Sequence, residues 1–162
     1  MPKSAIFTIG HSTRPLAELL ALLQDARIEQ LVDVRSVPRT RRNPHFGGEA
    51  LQASLPAATI SYHHAAALGG FRRPRRDSPN AGWKHPSFRG YADYMGGDNF
   101  QSALAELERM ASVQPTCVMC AEAQWWRCHR RLIADALVVR GWRVAHLGLG
   151  ATVVQHQLND FR

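Results

Sequence analysis

Apolar positions along the chain alternate between two spacings. Ala5 to Ile9 form a short apolar run that ends in Gly10-His11-Ser12, and Leu16, Leu19, Leu20 and Leu23 then recur at the interval of one helix face behind Pro15. This pattern predicts a strand, a turn and a helix. Leu31-Val32-Asp33-Val34-Arg35 predicts a second strand, and the basic stretch after it holds Pro38 and Pro44, which cannot continue a regular element. A short helix from Glu49 to Leu55 leads to a third strand, Ile60 to His64.

Residues from about 68 to 97 break the rhythm: they are rich in proline, glycine and arginine, although Phe88, Tyr91, Ala92 and Met95 keep helical spacing. Asp98, with Gln101 three residues on, reads as the N-cap of a helix with Phe100, Ala103, Leu104, Leu107 and Met110 on its inner face, ended by Pro115. Thr116 to Cys120 predicts a fourth strand, Cys128 to Arg140 a helix closed by Gly141, and Arg143 to Leu147 a fifth strand. Strands alternating with helices predict an α/β fold: three α/β/α layers around a mainly parallel sheet of about five strands. With 162 residues and no long-period repeat, the expectation is a single domain spanning 1–162, with an irregular insertion at about 68–97.

In open α/β sheets, ligands bind beyond the carboxyl ends of the strands. Strand one ends at His11 and Ser12, strand two at Asp33 and Arg35, strand three near His63 and His64, and strand four at Cys120 and Glu122. The segment Cys120 to Arg131, CAEAQWWRCHRR, then carries Arg127, Cys128, His129 and Arg130 into the next helix. A thiol facing a helix start and arginines gains thiolate character, which makes Cys120 a candidate nucleophile; the plainer reading is a small core residue at a strand end. His11 and Glu122 are candidate acid–base groups, with Asp33 orienting His11 or holding Arg35 as a structural pair. Ser12, Arg35, Arg127, His129 and Arg130 are candidate anion-binding residues. A metal site from His11, Cys120, Cys128 and His129 is an alternative, although Cys117 and Cys120 lack the second well-spaced pair of a zinc finger. No cofactor is expected otherwise.

Charge narrows the choice of ligand. The net charge is +7, and of 20 basic residues only Lys3 and Lys84 are lysine. Eleven arginines form three clusters: Arg35, Arg39, Arg41 and Arg42; Arg72, Arg73, Arg75 and Arg76; and Arg127, Arg130 and Arg131. Clustered guanidinium groups fit a phosphate-bearing partner, and Arg72, Arg73, Arg75 and Arg76, near Trp83, Tyr91 and Tyr94, are the candidate nucleic-acid contacts. Arginine-rich, solvated loops are the plainer reading. No apolar run is long enough for a membrane span and no signal-peptide layout opens the chain, so a cytoplasmic location is expected.

Taken together, TIGHS (Thr8 to Ser12), LVDVRSVPRTRRNPHF (Leu31 to Phe46), LGG (Leu68 to Gly70), YADYM (Tyr91 to Met95) and MCAE with CHR (Met119 to Arg130) resemble the bacterial and archaeal domain of unknown function 488 family. That resemblance implies no activity. A VDVR strand near the front and a cysteine-ended strand near the back are also distantly similar to a rhodanese-type sulfurtransferase. The rhodanese loop is Cys-x4-Arg, whereas Trp125 stands five residues after Cys120; the Cys-x5-Arg loop of cysteine phosphatases fails too, because Trp126 stands six residues after it. The resemblance therefore implies a topology and an anion-facing Cys120. The expected function is binding of, or action on, a phosphate-bearing ligand such as a nucleotide or nucleic acid, by a hydrolase or transferase using Cys, Glu and His if the protein is an enzyme. The alternatives are a non-catalytic nucleic-acid-binding module and a metal-binding or rhodanese-like thiol protein.

Overall fold

In the computed structural model, which describes residues 5–70, 72, 76–80, 82–83, 85–150 and 153–158, six strands form one sheet in the order β3-β2-β4-β1-β5-β6. The strands are β1 (Ala5–Gly10), β2 (Gln30–Asp33), β3 (Ser61–His64), β4 (Thr116–Cys120), β5 (Arg143–His146) and β6 (Val154–Gln155). The first five run parallel, and β6 pairs antiparallel with β5. The chain leaves β1 for β2, returns through β4 between them, and crosses β1 to reach β5. Gly10 is thereby in register with Cys120, and Asp33 with Met119, which brings three strand ends to the middle of one edge.

Helices cover both faces. On one, α1 (Leu16–Asp25) and α2 (Gly48–Ala57) pack Leu19, Leu23, Leu51 and Leu55 against Ile9, Leu31, Cys117 and Met119. On the other, α3 (Pro86–Met95), α4 (Asp98–Val113) and α5 (Arg130–Val139) pack Tyr91, Phe100, Leu104, Leu107, Ile133 and Leu137 against Ile6, Val32, Val118 and Val144. Each fully buried leucine contributes roughly 2 kcal/mol. The central strands β2 and β4 are buried along their whole length, as parallel strands covered on both faces must be, so the one carboxylate in β2, Asp33, requires a partner inside.

The three-layer α/β architecture matches the expectation from the sequence, with differences in detail. The sixth strand is only two residues long, too short to announce itself in an apolar pattern. Asp98 is the first residue of α4, not its cap: Gly97 holds the cap position and no side chain caps it. The helix read from Cys128 begins at Arg130, and Arg35 lies two residues beyond the end of β2. Among the described residues, no helix is long and apolar enough to cross a membrane.

Gly10 closes the site edge. A Cβ on Gly10 would lie 1.8 Å from the Glu122 carbonyl oxygen and 2.8 Å from the Ala123 Cα, so the loop after β4 can lie against β1 only because the residue there has no side chain. Gly10→Ala is expected to destabilise the fold by about 3 kcal/mol or more, because backbone must move to admit the methyl. A denaturant midpoint unchanged from wild type would contradict this.

Candidate functional site

At the carboxyl ends of β1 and β4, the His11 amide donates to the Cys120 carbonyl at 2.9 Å and the Ser12 amide to the Ala121 carbonyl at 3.0 Å. These bonds prolong the β1–β4 pairing beyond the sheet and hold Ser12 at φ 50°, in the left-handed region. The candidate residues gather here in two groups.

The first group surrounds Asp33, which is wholly buried. Arg35 donates to its carboxylate from Nε at 2.9 Å and Nη2 at 2.6 Å, the Arg35 amide donates at 3.1 Å, and the Tyr62 hydroxyl donates at 2.6 Å. The remaining Arg35 bonds run from Nη2 to the Phe46 carbonyl at 2.8 Å and from Nη1 to His11 Nε2 at 3.3 Å. His11 Nδ1 donates to the Ser12 carbonyl at 2.9 Å, so Nε2 is the accepting nitrogen. Burial lowers the His11 pKa, and the Arg35 cation lowers it further, so the ring is neutral. Burial also raises the pKa of Tyr62, reinforced by its bond to Asp33; Arg35 stays charged because Asp33 outweighs its desolvation. Every Arg35 donor group is thus engaged within the protein.

The second group is built on Cys120, Cys128, His129 and Arg130. Arg130 is fully buried as the first residue of α5; Nη1 donates to Thr8 Oγ1 at 2.9 Å, and Nη2 to the carbonyls of Glu122 at 2.9 Å and Ala123 at 3.2 Å. Its Nε has no hydrogen-bond partner, and no carboxylate pairs with it among the described residues. Cys120, 1% exposed, lies beside this guanidinium and beside Cys128, and its thiol donates to the Glu122 carbonyl at 3.5 Å. Burial raises the Cys120 pKa, but the neighbouring Cys128, Arg130 and the Glu122 backbone outweigh it and hold the thiol below its ordinary range. Cys128 is pushed up by the same contact and by burial. Cys117, on the opposite face of β4, is raised by burial and by Cys120, against opposition from Arg130.

His129 joins the groups. Its Nε2 donates to the Val34 carbonyl at 2.7 Å, which leaves Nδ1 as an acceptor 3.3 Å from Cys128 Sγ. Burial, with Arg130 and Arg72, brings its pKa down to about 4. The ring packs against Tyr91 and against Gly70, where a Cβ would stand 3.1 Å from Nδ1.

Residues that the sequence reading passed over complete the arrangement. Thr8 Oγ1 accepts from Arg130 and donates to His146 Nδ1 at 2.5 Å; His146 Nε2 donates to His156 Nδ1 at 2.9 Å; His156 Nε2 donates to Asp135 Oδ1 at 2.6 Å. One set of tautomers satisfies all four bonds. Trp125 stacks on His146 with ring centroids 4.5 Å apart and planes 7° apart. Burial, then Arg130 and His156, hold His146 at about 3. The only sequence signal for this chain was polar residues, Thr8 and His146, inside otherwise apolar strands.

Other candidates stand apart. The Glu122 side chain is exposed and its carboxylate accepts from the Gln124 amide; the loop contributes the Glu122 carbonyl to the buried site. Arg127 is exposed and bonded to Gln124. Arg72 lies 3.8 Å over the Tyr94 ring and Arg76 is exposed, while Arg73 and Arg75 lie outside the described residues. Arg39, Arg41 and Arg42 are exposed as well. His63 and His64 are exposed; His64 donates to the Arg35 carbonyl. His11, Cys120, Cys128 and His129 do not come together as ligands: among the described residues, no group of three or more His, Cys, Asp or Glu side chains could hold a metal ion.

The model of one protein family, described as domain of unknown function DUF488, matches residues 15–137. The chain belongs to the DUF488 family. No curated protein and no solved structure matches it. The DUF488 match includes Asp33, Arg35, Cys120, Cys128 and Arg130, whereas Thr8, His11, His146 and His156 lie outside it.

Two outcomes follow for this DUF488 chain. His11, His129 and His146 are all held neutral in the fold, with pKa values below the roughly 6.5 of an unfolded chain. The unfolded state therefore binds more protons as pH falls, so their contribution is complete above about pH 6.5 and declines from there toward the folded values. Urea midpoints should fall between pH 6.5 and 4.5, before ordinary carboxylates titrate; a flat profile across that window would refute the assignment. Thr8→Val removes both an acceptor from Arg130 and a donor to His146, which should cost about 1–3 kcal/mol, read as a lower thermal midpoint.

Proposed function

We propose that this DUF488 protein is a thiol-dependent catalyst in which Cys120 is the nucleophile and its thiolate is the counter-ion of Arg130. A single observation carries the reading: a fully buried guanidinium whose hydrogen-bond partners are a hydroxyl and two carbonyls, all neutral. An isolated buried charge costs several kcal/mol, and proteins meet that cost by pairing it. Arg130 also sits in the first turn of α5, where the helix dipole is already positive, which adds to the demand for an anion. Of the thiols near Arg130, Cys120 is the one held below its ordinary range, whereas Cys117 and Cys128 are pushed up. Cys128 lies beside Cys120, and the Arg130 amide lies 3.5 Å from Cys128 Sγ, so the helix start backs the thiol pair.

The reaction class this supports is attack by sulfur on a small electrophile, because Cys120 is 1% exposed. Arg130 would stabilise both the thiolate and any anion formed on it, including a persulfide. Binding of a phosphate-bearing ligand is a second reading, favoured by the unpartnered Arg130 Nε and the exposed Arg39, Arg41, Arg42 and Arg127. It makes Arg130 a ligand contact and predicts binding that weakens steeply with salt.

The deciding measurement is the thiolate absorbance near 240 nm as a function of pH, with Cys120→Ser to assign the signal. Wild type should show a thiolate titrating below the ordinary value of about 8.5, lost in Cys120→Ser and shifted up in Arg130→Gln. Titration of Cys120 at or above the ordinary value would overturn the proposal.

A further inference from the structure

Cys128 has two neighbours that give it a role of its own. It packs against the buried cluster that holds Cys120, and His129 Nδ1 lies 3.3 Å from its sulfur, free of a proton because Nε2 carries the hydrogen given to Val34. A nucleophilic sulfur, a second thiol beside it in the same buried cluster and a base directed at that second thiol make up the parts of a dithiol that closes on oxidation. The sulfurs come from the end of β4 and from the residues just before α5, whose intervening turn holds Trp125.

We infer that Cys120 and Cys128 form a peroxide-reactive dithiol, oxidised to an intramolecular disulfide with His129 as the base for Cys128. This rests on the reading of Cys120 as the nucleophile and names its substrate class. Near-complete burial of Cys120 favours hydrogen peroxide, little larger than water, over a bulky organic disulfide. In the first step the Cys120 thiolate attacks one peroxide oxygen, the O–O bond breaks, and sulfur is oxidised to the sulfenic acid while the departing hydroxide takes a proton from solvent. In the second, the Cys128 sulfur attacks the Cys120 sulfur as its proton passes to His129 Nδ1. The S–S bond forms, the S–O bond breaks, and the leaving hydroxide takes that proton from His129 as water. One dithiol and one peroxide thus give one disulfide and two waters.

The role of His129 fits its surroundings. Gly70 leaves room beside the ring, and the bond to Val34 fixes the tautomer that presents a lone pair to Cys128. Cys117, on the other face of the sheet, takes no part.

The full-length protein is treated with hydrogen peroxide in the presence of a sulfenate-trapping 1,3-dione, quenched by alkylation and digested without reductant for mass spectrometry. Wild type should yield a Cys120–Cys128 linked peptide, reversed by dithiothreitol, with little dione adduct. Cys128→Ser should stop at the sulfenate, with about tenfold or more adduct on Cys120, and His129→Ala should slow closure of the disulfide by about tenfold or more. Oxidation of Cys120 to sulfinic acid in wild type with no linked peptide would overturn this inference and leave the thiolate reading standing. A Cys120 inert to both peroxide and alkylation would overturn the thiolate reading as well.

Discussion

The arrangement at the strand ends follows from one requirement, that the charge of Arg130 be accommodated out of contact with solvent and, among the described residues, without a carboxylate against it. Arg130 is fully buried, its Nη2 donates to two carbonyls of the loop after β4, and that loop can reach it because Gly10 leaves β1 without a side chain. Thr8 supplies the third bond from within β1. The guanidinium thus fastens strand to loop, and the proposed Cys120 thiolate would balance the charge left over.

Arg35 solves the same problem in the opposite way. It too is buried at a strand end, but the Asp33 carboxylate meets it through two guanidinium nitrogens and its own amide, with Tyr62 supplying another donor to that carboxylate. A charge matched in this way is chemically quiet, and its geometry fixes the turn after β2 and holds His11 and Phe46 in place. The two arginines differ in one respect: both are buried cations, and among the described residues only Arg35 has a carboxylate as its counter-ion.

Much of the fold was legible because parallel strands and amphipathic helices leave strong periodic signals; Thr116–Cys120 coincides with its apolar run, and Leu16, Leu19, Leu20 and Leu23 mark α1. The edge where polar residues collect was legible from the same pattern, since it depends only on strand direction. The division of labour along that edge was not. Arg35 and Arg130 look alike in sequence, and what distinguishes them is the presence or absence of a carboxylate at contact distance. Glu122 drew notice for its carboxylate, whereas the fold uses its carbonyl, an atom that every residue type provides. The His146–His156 link escaped because β6 is too short to place His156 beside β5 from pattern alone.

That link explains how a cation can be held so deep without drifting. Arg130 and Asp135 belong to the same helix, α5, and the hydrogen bonds through Thr8, His146 and His156 connect them by way of β1 and β5. The bonds all run in one direction, from the guanidinium to the carboxylate, so each donor is polarised by the one before it. Asp135 is nine-tenths buried and keeps one oxygen unpartnered, which leaves the far end of the chain negative where the near end is positive. A displacement of α5 along its axis would strain both ends together. The helix is therefore tied to the sheet by polar bonds as well as by Leu132, Ile133 and Leu137, and Cys120 and Cys128 lie where that tether is anchored.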